Sequence, residues 1–257
     1  MNIKFVGIAA AAVMASSASA GLEVGDTFTV SRITTSPGRM VVINYDTSVT
    51  SSSSTARSGG ENAQAGMQNF NWLKTNGSDL PGGVKISAFC VEVAEAFPDD
   101  PIQYSVVEPT SVPEESPPGN MSANQALLIQ DLYAKNYADI LDTTNDTSWG
   151  NTSDEVAAFQ LMIWEISHES FSGTTLSDMV NELSLTLGAF QVTNSFNSEV
   201  ATIAGDMITG LGVGGFQTYN VLGGTNSTNQ DLLIVVPSPA IAGLAGLGLA
   251  GMRRRRR

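Results

Sequence analysis

Cysteine occurs once in this chain, at Cys90, and histidine once, at His168. A lone cysteine excludes any internal disulfide, and in an exported protein it points to intermolecular pairing or to special thiol chemistry. Basic residues are scarce too, with 12 Lys and Arg against 25 Asp and Glu, a net charge of −13. Lys4 and the five arginines at 253–257 supply half of them, and without those the balance falls to −19. No nucleic-acid partner is expected, since binding one relies on Lys and Arg neutralising phosphates. An acidic surface instead favours solubility outside the cell and leaves divalent cations or basic surfaces as partners. Long apolar runs are also missing: the uncharged stretch from Ala240 to Met252 is shorter than the ~20 residues a relaxed spanning helix needs. What the chain has in plenty is Ser, Thr, Asn and Gly, a composition common in secreted β-rich proteins.

The two ends agree on export. MNIKFVGIAAAAVMASSASA carries one Lys, an apolar stretch and the small-residue site Ala18-Ser19-Ala20, so residues 1–20 read as a signal peptide. At the other end, residues 237–257 join a Pro-bracketed turn, the short apolar run and five arginines. Such a segment reads as a short transmembrane tail whose cationic end stays cytoplasmic, because Lys and Arg resist translocation. Residues 21–236 lie between, long enough for one domain or two small ones with a real core.

The expected fold class is α+β. A β-rich part spans 21–108, with strand signals at Phe28 to Ile33, Arg39 to Tyr45 and Val84 to Val93, short, β-branched and bounded by turn residues. TSVTSSSSTARSGG between them reads as a loop. The Pro-rich stretch 109–120 can continue neither strand nor helix and separates a helical part, inserted or following, over 121–211. Ser122 with Gln125, and Thr152 with Glu155, form two capping-box patterns ahead of apolar residues at helical spacing. Further helices are expected over Leu176 to Leu187 and Asn197 to Leu211. Residues 216–236 read as closing strands.

The tail resembles the PEP-CTERM sorting signals of envelope-bearing bacteria, in which a Val-Pro-x-Pro motif, a short hydrophobic helix and an Arg cluster are read by an exosortase. The matching residues are Val236, Pro237, Ser238 and Pro239, with Ser238 standing where the family usually has Glu. The resemblance implies an exosortase-type partner, membrane contact through the tail before processing, and a destination in the cell envelope, on the surface or outside the cell.

Cys90 lies in Phe89-Cys90-Val91-Glu92 on an expected strand, and Gln160 in Phe159-Gln160-Leu161-Met162-Ile163-Trp164 on an expected helix. The pair resembles the thioester domains of bacterial surface adhesins, where a strand Cys bonds covalently to a Gln in a Gln-x-Ala-Ile-Trp segment. Met162 stands where the family prefers Ala and Phe159 where it often has Thr. The resemblance implies an internal Cys90-Gln160 thioester, no cofactor and no enzymatic turnover. It also implies covalent adhesion to an amine-bearing surface or attachment within an exopolysaccharide matrix. Such a bond needs water kept away, and Phe89, Phe159 and Trp164 are the expected wall of the site. Strand alternation puts Cys90 on the apolar face of Val84, Ile86 and Ala88.

Two alternatives stay open on the sequence: a non-catalytic matrix protein in which the bond does not form, and a cysteine hydrolase pairing Cys90 with His168. His168 is a candidate base assisting acyl transfer, or a residue favoured by the dipole near a helix C-terminus. The hydrolase reading suffers because Cys90 sits inside a strand rather than at a helix N-terminus, where a thiol pKa falls. The oxygen-rich stretch from Asp142 to Glu155 lacks EF-hand ligand spacing and turn Gly, so no metal is expected there.

Overall fold

The computed structural model describes residues 21–45, 60–80, 84–93, 101–114, 118–141, 149–193 and 198–235. The expected signal peptide, the tail with Val236, Pro237, Ser238 and Pro239, nearly all of the Ser-rich loop and the first half of the oxygen-rich stretch, 142–148, lie outside those residues. Leu22–Val236 forms one compact unit. Among the described residues, no helix is long and apolar enough to cross a membrane.

The chain is α+β. Five strands come first, β1 (Thr27–Tyr45), β2 (Glu61–Thr75), β3 (Ser78–Asp79), β4 (Lys85–Cys90) and β5 (Ile102–Val107). After a short turn of 3-10 helix at Pro109–Ser111 come α1 (Ala123–Leu141), α2 (Trp149–His168), α3 (Leu176–Glu182), β6 (Phe190–Val192) and α4 (Ser198–Gly210). Strands β7 (Val221–Thr225) and β8 (Leu232–Val235) close the order. All the pairings are antiparallel, and because β1 pairs with β2 as well as with β5, the strands β2-β4-β8-β7-β5-β1 close into a six-stranded barrel. Closure removes the open edges that a sheet would otherwise present. The β7-β8 hairpin completes the barrel between β4 and β5, so the helical section is an insertion within the β part.

Strand alternation then separates two cores. Phe28, Val30, Phe70, Ile86, Ala88, Ile102, Tyr104, Leu232 and Ile234 fill the barrel, with Phe28 stacked on Tyr104 at 5.3 Å. On the outer face, Val41, Ile43, Met67, Phe89 and Leu233 pack against α1, α2 and α4. Helix α2 is the centre of that layer: from Val156 to Ile166 every side chain is buried, on every side of the helix. Apart from Gln160 and Glu165 this stretch is apolar all round, and such a helix belongs in an interior.

Several expectations need correction. The two strands expected at 28–33 and 39–45 are one strand, β1, which bends through register shifts against β2. At the bend the backbones nearly touch: a Cβ on Gly38 would stand 2.5 Å from the Ala65 carbonyl oxygen, so only glycine fits. Strand β2 was not expected at all, since its Asn, Gln, Gly and Ala are poor strand formers. Helix α1 does begin with the reciprocal capping box, Gln125 N–H donating to Ser122 Oγ and Ser122 N–H to Gln125 Oε1. Helix α2 instead begins at Trp149, so Thr152 lies inside it and is not its cap. Helix α3 ends at Glu182, five residues short of Leu187, because the chain turns there to lay β6 beside β1.

Candidate functional site

Cys90 is the last residue of β4. Backbone groups of alternate strand residues point to opposite neighbours, and the Val91 N–H donates to the Asp231 carbonyl next to β8. The N–H and C=O of Cys90 therefore face the β2 side. There the ladder stops one rung earlier, at the Gln68-Ala88 pair. The missing rung is supplied by a side chain. The Cys90 N–H donates to Gln160 Oε1 at 3.1 Å, and Gln160 Nε2 donates to the Cys90 carbonyl at 2.8 Å. Cys90 is 2% exposed and Gln160 fully buried, so both bonds lie away from water. The structure thus brings together the two residues singled out in the sequence, with Cys90 as a free thiol.

Burial pushes the Cys90 thiol far up from its ordinary range, opposed by a hydrogen bond from Gln68 and the charge of Arg32. Phe89 and Phe159, the residues preceding Cys90 and Gln160, belong to an aromatic cluster of the outer core. Phe89 and Phe159 stand with ring centres 4.9 Å apart, and Tyr133 of α1 packs on Phe159 at 4.9 Å and on Phe89 at 6.3 Å. The ring of Trp164 is set against Phe190 of β6 at 6.2 Å. Four residues beyond Gln160 it shares that helical side, yet sits about 6 Å further along the axis, which carries it toward β6. Of the three expected wall residues, Phe89 and Phe159 join Tyr133 in this cluster, whereas Trp164 lies against Phe190.

His168 Nδ1 lies 2.9 Å from Ser167 Oγ and 3.1 Å from the Trp164 carbonyl, and the ring neighbours are Tyr45 and Phe190. No hydrogen bond joins it to Cys90. Burial pushes it down to about 4, so it is neutral near pH 7 and serves to close the end of α2 rather than to hold charge at the dipole. Beside it, Ser167 Oγ donates to the Val91 carbonyl at 3.2 Å, docking the end of α2 one residue past Cys90.

Three residues near this region carried no mark in the sequence. The Tyr133 hydroxyl is buried without a partner, and burial together with Tyr137, Cys90 and Tyr219 pushes it well above the usual phenol range. Gln68 is a buried polar residue on the unforeseen strand β2. Glu165 accepts from the Ser184 N–H at 2.6 Å through Oε1 while Oε2 is buried and unpartnered, and burial pushes its carboxyl well above the carboxylate range. Only the helical apolar pattern around Tyr133 and Glu165 hints at their burial. Among the described residues, no group of three or more His, Cys, Asp or Glu is placed to hold a metal ion.

Compared with protein-family models, curated proteins and solved structures, the chain matches none of them.

Proposed function

We propose that this chain is an exported cell-envelope or extracellular-matrix protein whose compact unit is a thioester-type attachment domain, with Cys90 and Gln160 as its reactive pair. The observation that carries the reading is the double hydrogen bond of the Gln160 carboxamide to the main chain of Cys90, buried on all sides. In the reaction the sulfur of Cys90 attacks Gln160 Cδ, an S–C bond forms, the C–N bond breaks, and the thiol proton leaves with the nitrogen as ammonia. Holding the two groups at one residue replaces an external catalyst by proximity. The Cys90 N–H polarises the carbonyl it binds and faces the oxygen on which negative charge develops during attack. Phe89, Phe159 and Tyr133 keep water from the resulting acyl group. An amine on a surface or matrix component then captures the acyl group as an amide and frees the thiol.

The tail fits this role as an address, bringing an exosortase-type sorting enzyme and a membrane contact before processing. Intact mass tests the reading. The mature protein is expected to run about 17 mass units light, the ammonia lost on acyl transfer to sulfur, and to take up methylamine, whereas Cys90→Ala and Gln160→Ala do neither. A full-mass wild type with one titratable thiol overturns it.

A second reading, a non-covalent matrix protein of the same fold, is favoured by the use of both ends of the Gln160 amide to complete a strand rung, a full structural role. It expects the full-mass result.

A further inference from the structure

A buried thiol is a poor nucleophile, because the thiolate is the reactive form and desolvation disfavours it. The residues on the sulfur side of Cys90 bear on this. Paired residues of an antiparallel ladder share a face. Thr35 pairs with Gln68 and Gln68 with Ala88, and Cys90 lies two residues past Ala88, so the side chains of Thr35, Gln68 and Cys90 converge on one face across three strands. They are linked in one direction. Arg32 Nη2 donates to Thr35 Oγ1 at 2.8 Å, and the Thr35 hydroxyl donates onward to Gln68 Oε1 at 2.6 Å. With Oε1 so engaged, the end of Gln68 left for Cys90 is Nε2, a donor. Thr35 and Gln68 are buried, and Arg32 is only half so, which leaves the guanidinium charge at the outer end of the chain.

We propose that Arg32, Thr35 and Gln68 form a hydrogen-bond relay that positions and activates the Cys90 sulfur for acyl transfer to Gln160. The proposal rests on the thioester reading. A chain of aligned hydrogen bonds polarises its members, and here a cation sits at the start and the Gln68 carboxamide at the end, on the face that Cys90 shares. Charge building on sulfur before the C–N bond breaks is thereby offset inside the protein, and the thiol proton still departs with ammonia. Gln68 and Arg32 both act to hold the thiol down against burial.

The test follows closure of the full chain by the mass deficit after cell-free synthesis, sampled over time. Thr35→Val, which keeps the shape and removes both hydrogen-bond functions, is expected to slow closure about tenfold, Thr35→Ser to restore it, and the rate to rise with pH in each. Arg32→Met, at the half-buried outer end, is the second variant, slowing closure without opening the barrel. Parent rates in Thr35→Val and Arg32→Met overturn the relay. If wild type never closes, the thioester reading falls and activation for acyl transfer with it, and the S–H stretching band of Cys90 in Gln160→Ala decides whether the relay reaches the sulfur. A band that shifts on adding Thr35→Val upholds the contact with the sulfur, and an unmoved band overturns it.

Discussion

The carboxamide of Gln160 stands in for a strand beside Cys90, accepting from its N–H and donating to its C=O in the positions where β2 would have continued. A helix side chain thus ends the ladder between β2 and β4 and ties the outer helical layer to the barrel. Ser167 repeats the contact at Val91.

Because the partners of Gln160 are main-chain atoms, truncating it is expected to cost more than truncating Cys90. Gln160→Ala leaves two buried backbone groups unsatisfied, about 1–3 kcal/mol each. Cys90→Ala keeps that backbone and removes little more than a methylene-sized group, roughly 1 kcal/mol. Urea unfolding of the two variants, neither of which can form the crosslink, measures the gap; equal stabilities would remove Gln160 from its place at the rung.

Phe159→Ala and Trp164→Ala are expected to be destabilising alike, by about 3–5 kcal/mol, since both rings are buried in the outer core. Their effects on Cys90 are expected to diverge. Phe159 packs on Phe89 and Tyr133 beside the pair, whereas Trp164 packs on Phe190. In the Gln160→Ala background, a small thiol reagent is therefore expected to reach Cys90 faster after Phe159→Ala than after Trp164→Ala. Equal labelling rates would show that the two rings shield the thiol alike.

Stability is expected to depend on pH through two buried groups of opposite sign. His168 binds its proton at about 4 when folded and near 6.5 when unfolded. The unfolded chain therefore binds more protons in that window, and stability falls as pH drops from about 6.5 to about 4, by ~3 kcal/mol in all. Relative to His168→Gln, wild type loses that increment. Glu165 runs the other way. Its folded carboxyl is raised, so its contribution is complete below the unfolded value of 4.5 and is lost as pH rises. Glu165→Gln is expected to gain on wild type more at about pH 8 than at about pH 5. Urea midpoints across pH check both, and a flat difference curve for either variant removes that group from the account.

The sequence by itself determined the local matters. The Ser122-Gln125 capping box, the apolar character of α2 and the alternation that buries Ile86, Ala88 and Cys90 are each set by neighbours within a few residues, and each reads directly. The pairing of Cys90 with Gln160 was expected from the Phe89-Cys90 and Phe159-Gln160 segments taken together, and the hydrogen bonds between them show the two side by side. Tertiary structure decided the rest. The polar segment Glu61–Thr75 becomes a strand because β1 and β4 pair with its two edges, an interaction between distant residues that outweighs its weak intrinsic preference. The same closure places Gln68 and Thr35 on the face of Cys90. Trp164 meets Phe190 because β6 pairs with β1, and Tyr133 reaches Phe89 because α1 lies on α2; sequence spacing records neither. A short-range rule sees which residues are apolar or capped, whereas the partner of a side chain is chosen by how a closed barrel and its helical layer bring remote segments together.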